Sequence, residues 1–466
     1  MNFKKDTPLN LTDEATRRTQ KQITIMLAMY IGYASLMVCR NTLIASSAAM
    51  MEDPTLSLDK ESFGHLMSWH SAGAIAGKLI TGPGADLLGG RKMFLLALAF
   101  TGAANIGFAL CTSFIGFAIF NFFGQFAKAG GWPAMTKIVR SWYPESKYGS
   151  VWSIISTSSR VGTIAAGLAL GYLLMFMSWR AVFVASAILI GGVAAWIYFS
   201  LHDRPDAILD EIPDGDEFTE SHLTKSTGNQ RKITNLEEPQ SLESKFQHPL
   251  DKHNLLSACG YFLRSGQCWA ICAGIVFLTV MMDFLNFIPI YLSESLGLSA
   301  SVASMAGTSF PLGMFVALIV SGFLYDRFSK RQLAICLTTL LMIGISCVLC
   351  LWGMDLAPKA YRVPLSITCL FVLGFSISPA YYVPMSVFSV SFGGRHSGFL
   401  VSLIDIFGYA GALVFNFFSG SIAEHYGWDT FLGGLTLISS LAMLSMSTFL
   451  YLDQRSTGIT TPVPAN

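Results

Sequence analysis

"GPGADLLGGRK", residues 82–92, and "GFLYDRFSKRQ", residues 322–332, carry one pattern: a glycine, three residues, an aspartate, a few residues, then a basic pair. Each segment follows a long apolar run and precedes another, at matching places in the two halves of the chain. Solvated charge on a tight turn explains one such copy; it does not explain two in register. An aspartate at a helix end followed by cations makes a charge cluster that can latch two parts of a bundle. Parallel repeats of a helical lobe are one way a transporter builds a central site. The charges concerned include Asp86, Arg91, Asp326 and Arg331.

Composition sets the solvent. The chain has 466 residues, 52% hydrophobic and 13% charged, about half the charged share of a soluble domain. Its apolar stretches reach the roughly 20 residues that cross a hydrocarbon core about 30 Å thick. Twelve such runs are readable, near 24–48, 62–85, 92–111, 114–138, 150–175 and 181–201, then 268–293, 301–325, 332–353, 364–389, 397–421 and 429–452. The expected fold is an all-α integral membrane protein, twelve transmembrane helices in two six-helix lobes. The divisions expected are an N-terminal lobe over 1–201, a linker over 202–265 and a C-terminal lobe over 266–466. The linker is rich in Asp, Glu, Lys, Ser and Pro, with no periodicity that calls for helix or strand.

Loop charge orients the bundle. Basic residues crowd the N-terminal tail, the turns at 89–92, 137–147, 326–331 and 393–396, and the linker. The opposite loops, 51–61, 293–300 and 424–429, are acidic or nearly neutral. By the positive-inside rule both termini and the linker face the cytoplasm, and a bacterial inner membrane is the expected location. No short apolar segment with a cleavage site follows the basic tail, so no removable signal peptide is expected. The net charge of +1 says little about partners.

Several function classes drop out. The nine cysteines lie almost all in apolar runs and read as reduced packing residues, Cys347-x-x-Cys350 included. There is no metal-ligand cluster, nucleotide-binding glycine loop or paired nucleophile and base, so neither cofactor, metal nor enzyme activity is expected. The 42 glycines suit close helix packing in a membrane. His65 and His396 read as solvated helix-end residues. Trp69, Trp132 and Trp152 are candidates for lining a cavity.

The repeated loops resemble the signature of the major facilitator superfamily, over nearly the whole chain. That resemblance implies alternating access by rocking of two lobes, with Asp86, Arg91, Asp326 and Arg331 gating rather than binding substrate. "GQFAKAGGWPAMTKIVRSWYPESKYGSVWSIISTSSRVG" (124–162) is similar to the fourth and fifth helices of the organophosphate–phosphate antiporters, which carry glycerol 3-phosphate, hexose phosphates or glucose 6-phosphate. "GGRHSGFLVSLIDIFGYAGA" (393–412) and "HYGWDTF" (425–431) fit the same family.

Charges inside the runs name candidate site residues. A cation at the centre of a lipid-spanning helix costs about 2.5–3.5 kcal/mol on insertion scales, and Arg40 sits far from both ends of its run. Tyr33, Met37 and Arg40 stand at i, i+4 and i+7, on one helix face. In the resembled family a first-helix arginine grips the substrate phosphate with a nearby tyrosine, and a second-helix lysine faces the cavity; Arg40, Tyr33 and Lys78 match these. His70 and Ala74 share the face of Lys78. Guanidinium and ammonium groups in a dry cavity suit a multiply charged anion.

Two departures bear on the cargo. The family's second clamp arginine, in the seventh helix, is replaced by Met281, with Asp283 two residues on. The fifth-helix histidine of the glycerol-phosphate branch is replaced by Ser159, followed by Arg160. Ser159, Arg160 and Asn286 join the substrate-binding candidates. Asp283 and Asp405 are either proton carriers or partners of Arg160, Arg40 or Lys78 in structural ion pairs. Ser402, Asp405 and Tyr409 make a polar stripe.

The function expected is secondary active transport of a small organic anion anchored by Arg40. Organophosphate exchange against phosphate and proton-coupled movement of a carboxylate or chelator stand side by side, and a sugar-phosphate sensor without transport is the third reading. The expected partners are the anionic solute, phosphate or a proton as coupling ion, and the bilayer, with no nucleic acid; a monomer is expected.

Overall fold

The computed structural model describes residues 11–144, 148–201, 255–393 and 397–455, and among them every regular element is helical. Twelve crossings follow in chain order, numbered here as spans. Span 1 is Leu11–Met51, span 2 Lys60–Leu88, span 3 Gly90–Leu110, and span 4 Phe114–Ala129 continued by Gly131–Trp142. Span 5 is Tyr148–Ala165, prolonged through a π-helical turn at Ala166–Leu170, and span 6 is Trp179–Ser200. Span 7 is Gly266–Asp283 and Ile288–Leu296 around a 3-10 turn, Phe284–Asn286. Span 8 is Ala300–Gly307 with Ser309–Arg327, span 9 Lys330–Trp352, span 10 Lys359–Gly393, span 11 Ser397–His425 and span 12 Gly427–Arg455.

Nine helices among the described residues are long and apolar enough to cross a membrane by themselves. Spans 2, 4 and 5 are not among them, and these are the spans that carry Lys78, Lys128 and Arg160. Span 4 is divided into pieces of 16 and 12 residues, each too short to cross alone, and spans 2 and 5 carry polar and charged side chains within their apolar runs. Two breaks sit beside buried charge: span 4 is interrupted at Gly130, just after Lys128, and span 7 just after Asp283. A helix can break at membrane depth only where protein or a cavity satisfies the freed backbone. Pro289 opens the second part of span 7, where it lacks only an N–H that would have no partner in any case.

The outer surface is apolar, with Leu110, Ile188 and Phe199 among its exposed side chains. An apolar surface of that extent fits lipid and not water. Most of the linker, residues 202–254, lies outside the described residues, as does His396. Residues 255–264, read with the linker, instead form a helix, Leu255–Arg264. Ala258 and Phe262 are buried on it, and Phe262 packs against Phe392 and Phe399 of spans 10 and 11. All nine cysteines are free thiols.

At the end of the bundle opposite the termini the two lobes meet. Spans 2 and 11 cross there so closely that a Cβ on Gly64 would lie 2.5 Å from the Asn416 carbonyl oxygen, and one on Gly420 2.1 Å from that of Lys60. Phe63 meets Phe287 edge to face, and the Ser68 hydroxyl donates to the Leu413 carbonyl at 3.0 Å. Lys60 reaches two carboxylates of the other lobe, Glu294 at 3.0 Å and Glu424 at 3.4 Å. The Lys60 amide also donates to Glu424 at 3.2 Å, and the Trp428 indole to Glu294 at 2.8 Å. These far-side loops, acidic or neutral by sequence, thus hold an ion-pair latch.

Candidate functional site

Span 1 carries Arg40 to mid-depth, where its Nε donates to His70 Nε2 of span 2 at 3.3 Å. His70 Nδ1 lies 3.2 Å from Asn121 Oδ1, and Asn121 Nδ2 donates to the Leu66 carbonyl at 2.7 Å. This chain of partners fixes the tautomer. Nε2 accepts from the guanidinium, so Nδ1 carries the hydrogen and donates to the amide oxygen. The imidazole therefore orients Arg40 without neutralising it, and among the described residues no carboxylate lies within ion-pair distance of Arg40.

Tyr33 packs edge-on against Trp132 at 5.5 Å, and Trp132 against Trp152 at 5.0 Å. These three rings form a row running from Arg40's helix toward span 5. Trp69 is about half exposed and packs edge-on against Phe122.

Lys78 forms an ion pair with Asp405 across the lobes and lies 4.6 Å from the centre of the Tyr409 ring. Of the alternatives for Asp405, the partnership with Lys78 is the arrangement found. Arg160 also reaches across, bonding the Tyr382 hydroxyl and lying over its ring, while its Nε is buried with no partner. Ser159 turns inward on its own helix, donating to the Ser156 carbonyl at 3.0 Å.

Asp283 accepts from Asn416 Nδ2 at 2.6 Å, and Asn416 Oδ1 accepts from Asn286 Nδ2 at 3.2 Å. Neutral amides, not a cation, hold this carboxylate. Arg40 is nonetheless close enough to act on it electrostatically. Met281 is fully buried in apolar packing, so the position expected from the resemblance to hold a clamp arginine presents nothing polar.

The gating candidates are separate from this centre. The side chains of Asp86 and Asp326 lie outside the described residues. Arg91 donates to the Tyr198 carbonyl at 2.5 Å and stacks on its ring, and Arg331 is exposed at the start of span 9.

Four contributors were not singled out from sequence: Asn121, Lys128, Asn416 and Tyr382. Lys128 had a readable signal, since Asn121, Gln125 and Lys128 stand at i, i+4 and i+7 within an apolar run, on one face. Asn416 and Tyr382 had none, because each acts only through a partner on another span. An almost wholly apolar groove of about 590 Å³, lined by Val276, Phe415, Phe418 and Leu435 among others, is not this site.

The central charges therefore divide by lobe. Arg40, Lys78, Lys128 and Arg160 come from the first six spans, and Asp283 and Asp405 from the last six. In their ordinary ionisation states, four cations against two carboxylates leave an excess of two positive charges.

The family model of the Major Facilitator Superfamily matches residues 29–282 and 269–465. A probable hexose phosphate transport protein of Chlamydia pneumoniae is 24% identical, over 91% of this chain and 90% of its own. The membrane sensor protein UhpC of Escherichia coli K12 is 23% identical, over 91% of both chains. A D-galactonate transporter of Escherichia coli O6:H1 is 24% identical, over 96% of this chain and 98% of its own. Among solved structures, a bacterial homologue of the human lysosomal transporter Spinster, inward-facing and unoccupied, superposes with a TM-score of 0.67. It is 17% identical, covering 93% of this chain and 97% of its own.

Proposed function

The chain belongs to the Major Facilitator Superfamily, and from that premise we propose that it carries a small organophosphate dianion across a membrane by alternating access, with Arg40 as the anchor. The observation that carries this reading is Arg40 itself: a guanidinium at mid-depth, oriented by His70, with no carboxylate in contact among the described residues. A cation is stable there when an anion comes to it. A phosphate monoester brings close to two negative charges at neutral pH, which matches the excess of two. The hexose phosphate relative supports the same class of cargo.

The contacts between the lobes on the far side and the pairs Lys78–Asp405 and Arg160–Tyr382 at mid-depth suit a carrier whose lobes rock about a central site. Asp86, Arg91, Asp326 and Arg331 would latch the other end in the opposite state. The divisions at 1–201, 202–265 and 266–466 serve as two moving lobes and their tether. Loop charge supports cytoplasmic termini, in a bacterial inner membrane.

A second reading has specific support. Met281 stands where a clamp arginine is expected, and protonation of Asp405 would release Lys78. A carboxylate driven by a proton gradient fits both, and one relative is a D-galactonate transporter.

The deciding experiment uses purified protein in liposomes. Vesicles preloaded with inorganic phosphate should take up labelled glycerol 3-phosphate or glucose 6-phosphate, and Arg40→Ala should abolish this while the protein still inserts. Arg40→Lys should weaken binding about ten- to hundredfold, since a charge-assisted hydrogen bond is worth roughly 1.5–3 kcal/mol and one amine cannot replace a two-pronged contact. Uptake of D-galactonate, driven by a pH gradient and absent for phosphate esters, would favour the second reading. A protein that binds a sugar phosphate and moves nothing would be a sensor, as the Escherichia coli K12 relative is called.

A further inference from the structure

We propose that Lys128 is a second substrate-binding cation, and that with Arg40 it forms a two-point anion clamp contained within the first lobe. Lys128 is only 8% exposed, in the last turn of the first part of span 4, immediately before the break at Gly130. Among the described residues its ammonium has no hydrogen-bond acceptor and no carboxylate. The charged groups that act on it are Arg40 and Lys78, both positive, and it in turn acts on His70.

A buried ammonium surrounded by like charge is costly. Lys78 has Asp405 and Arg160 has Tyr382, so each already has a contact within the protein. Arg40 and Lys128 do not have an anionic one. His70 links their two helices: it accepts from Arg40, and its other nitrogen donates to Asn121, two helical turns before Lys128 on the same face of span 4. The His70–Asn121 bridge fixes spans 1, 2 and 4 relative to one another, and so sets the spacing of the two cations.

The arrangement also answers the absence of arginine at Met281. Where the second cation would come from span 7, this chain places it on span 4, on the same lobe as the first. The anionic group then stays with one lobe as the lobes rock. The other lobe meets the cargo with Asp283, Asn286 and Asn416, groups suited to a sugar or glycerol hydroxyl.

This inference rests on the reading of the cargo as an anion, so its test has to separate the two. Full-length protein is titrated with inorganic phosphate and with glycerol 3-phosphate, following melting temperature and calorimetric binding, for the parent, Arg40→Ala, Lys128→Gln, Lys128→Met and Lys128→Arg. Lys128→Gln and Lys128→Met should weaken binding about ten- to hundredfold, the loss of one charge-assisted contact, and Lys128→Arg should restore most of it. Without ligand, both neutral variants should melt at or above the parent, because a buried unpaired charge has been removed. Parent-like affinity in Lys128→Gln, with Arg40→Ala inactive, overturns this inference and leaves the anion reading standing. Neutral variants that melt well below the parent make the ammonium a structural group and overturn it equally. A parent protein that binds neither probe overturns both.

Discussion

Lys60→Ala should open the far side of the bundle. Lys60 is the one side chain that joins both Glu294 and Glu424 to the opposite lobe, at 3.0 and 3.4 Å, and it is itself largely buried. Exposed or half-exposed ion pairs are worth about 0.2–1 kcal/mol each, so losing two costs the closed far side about 0.5–2 kcal/mol. That shifts the ratio of the two lobe arrangements about two- to thirtyfold. Part of the contact survives, because the Lys60 amide still donates to Glu424 across the lobes, and this keeps the expected shift toward the lower half of that range. The assay is modification of a single cysteine at position 68, with a membrane-impermeant thiol reagent applied from the far side. Ser68 is buried against the opposite lobe in this arrangement, so a cysteine there should react faster in the Lys60→Ala background. The effect should shrink in the parent as salt rises, since screening weakens the latch beforehand. A charge swap, Lys60→Glu with Glu294→Lys, should recover part of the protection. Unchanged labelling rates in Lys60→Ala, with the helices intact by circular dichroism, would refute the latch.

Gly420→Ala places a methyl 2.1 Å from the Lys60 carbonyl oxygen; such overpacking costs about 1–3 kcal/mol and should raise far-side labelling in the same assay. Asp405→Asn frees Lys78 for the cargo, so phosphate-ester binding should tighten by up to about tenfold while the ligand-free melting temperature falls; weaker binding would count against competition between Asp405 and the anion. Asp86→Asn or Asp326→Asn should slow liposome exchange and spare affinity, and a collapse in affinity with unchanged turnover would remove these loops from the gating role. In the loop after span 1, the hydrogen bond from the Trp179 indole, 2.8 Å from Asp53, and those from Thr55 hold the Asp53 carboxyl below its ordinary range. A lowered folded value means that its stabilisation is complete above the ordinary carboxylate pKa of about 3.9 and is lost as pH falls through the folded value. The melting difference between parent and Asp53→Asn should therefore hold from neutral pH down to about pH 4 and vanish in stronger acid.

Some of this protein was legible in one dimension. Lipid solvent forces apolar runs of fixed minimum length, so the twelve crossings could be counted by reading along the chain. A cation in such a run is costly wherever the run packs, so Arg40, Lys78 and Arg160 stood out before any contact was known. The repeated loops at 82–92 and 322–332 gave the two-lobed plan, because a repeat is a property of order alone.

Partnership was another matter. Asp405 could be a proton carrier or an ion-pair partner until span 11 was seen against span 2, since a pairing over 327 residues leaves no trace in spacing. The pairing of Lys60 with Glu294 and Glu424 leaves no trace in the sequence for the same reason. Lys128 lay in plain view at helical spacing, yet only the packing of span 4 against span 2 made it a buried, unpartnered charge rather than a snorkelling one. The chain's solvent and its repeat determine which residues are expensive; tertiary structure decides which of them are matched, because matching depends on distances of a few ångströms between helices far apart in sequence.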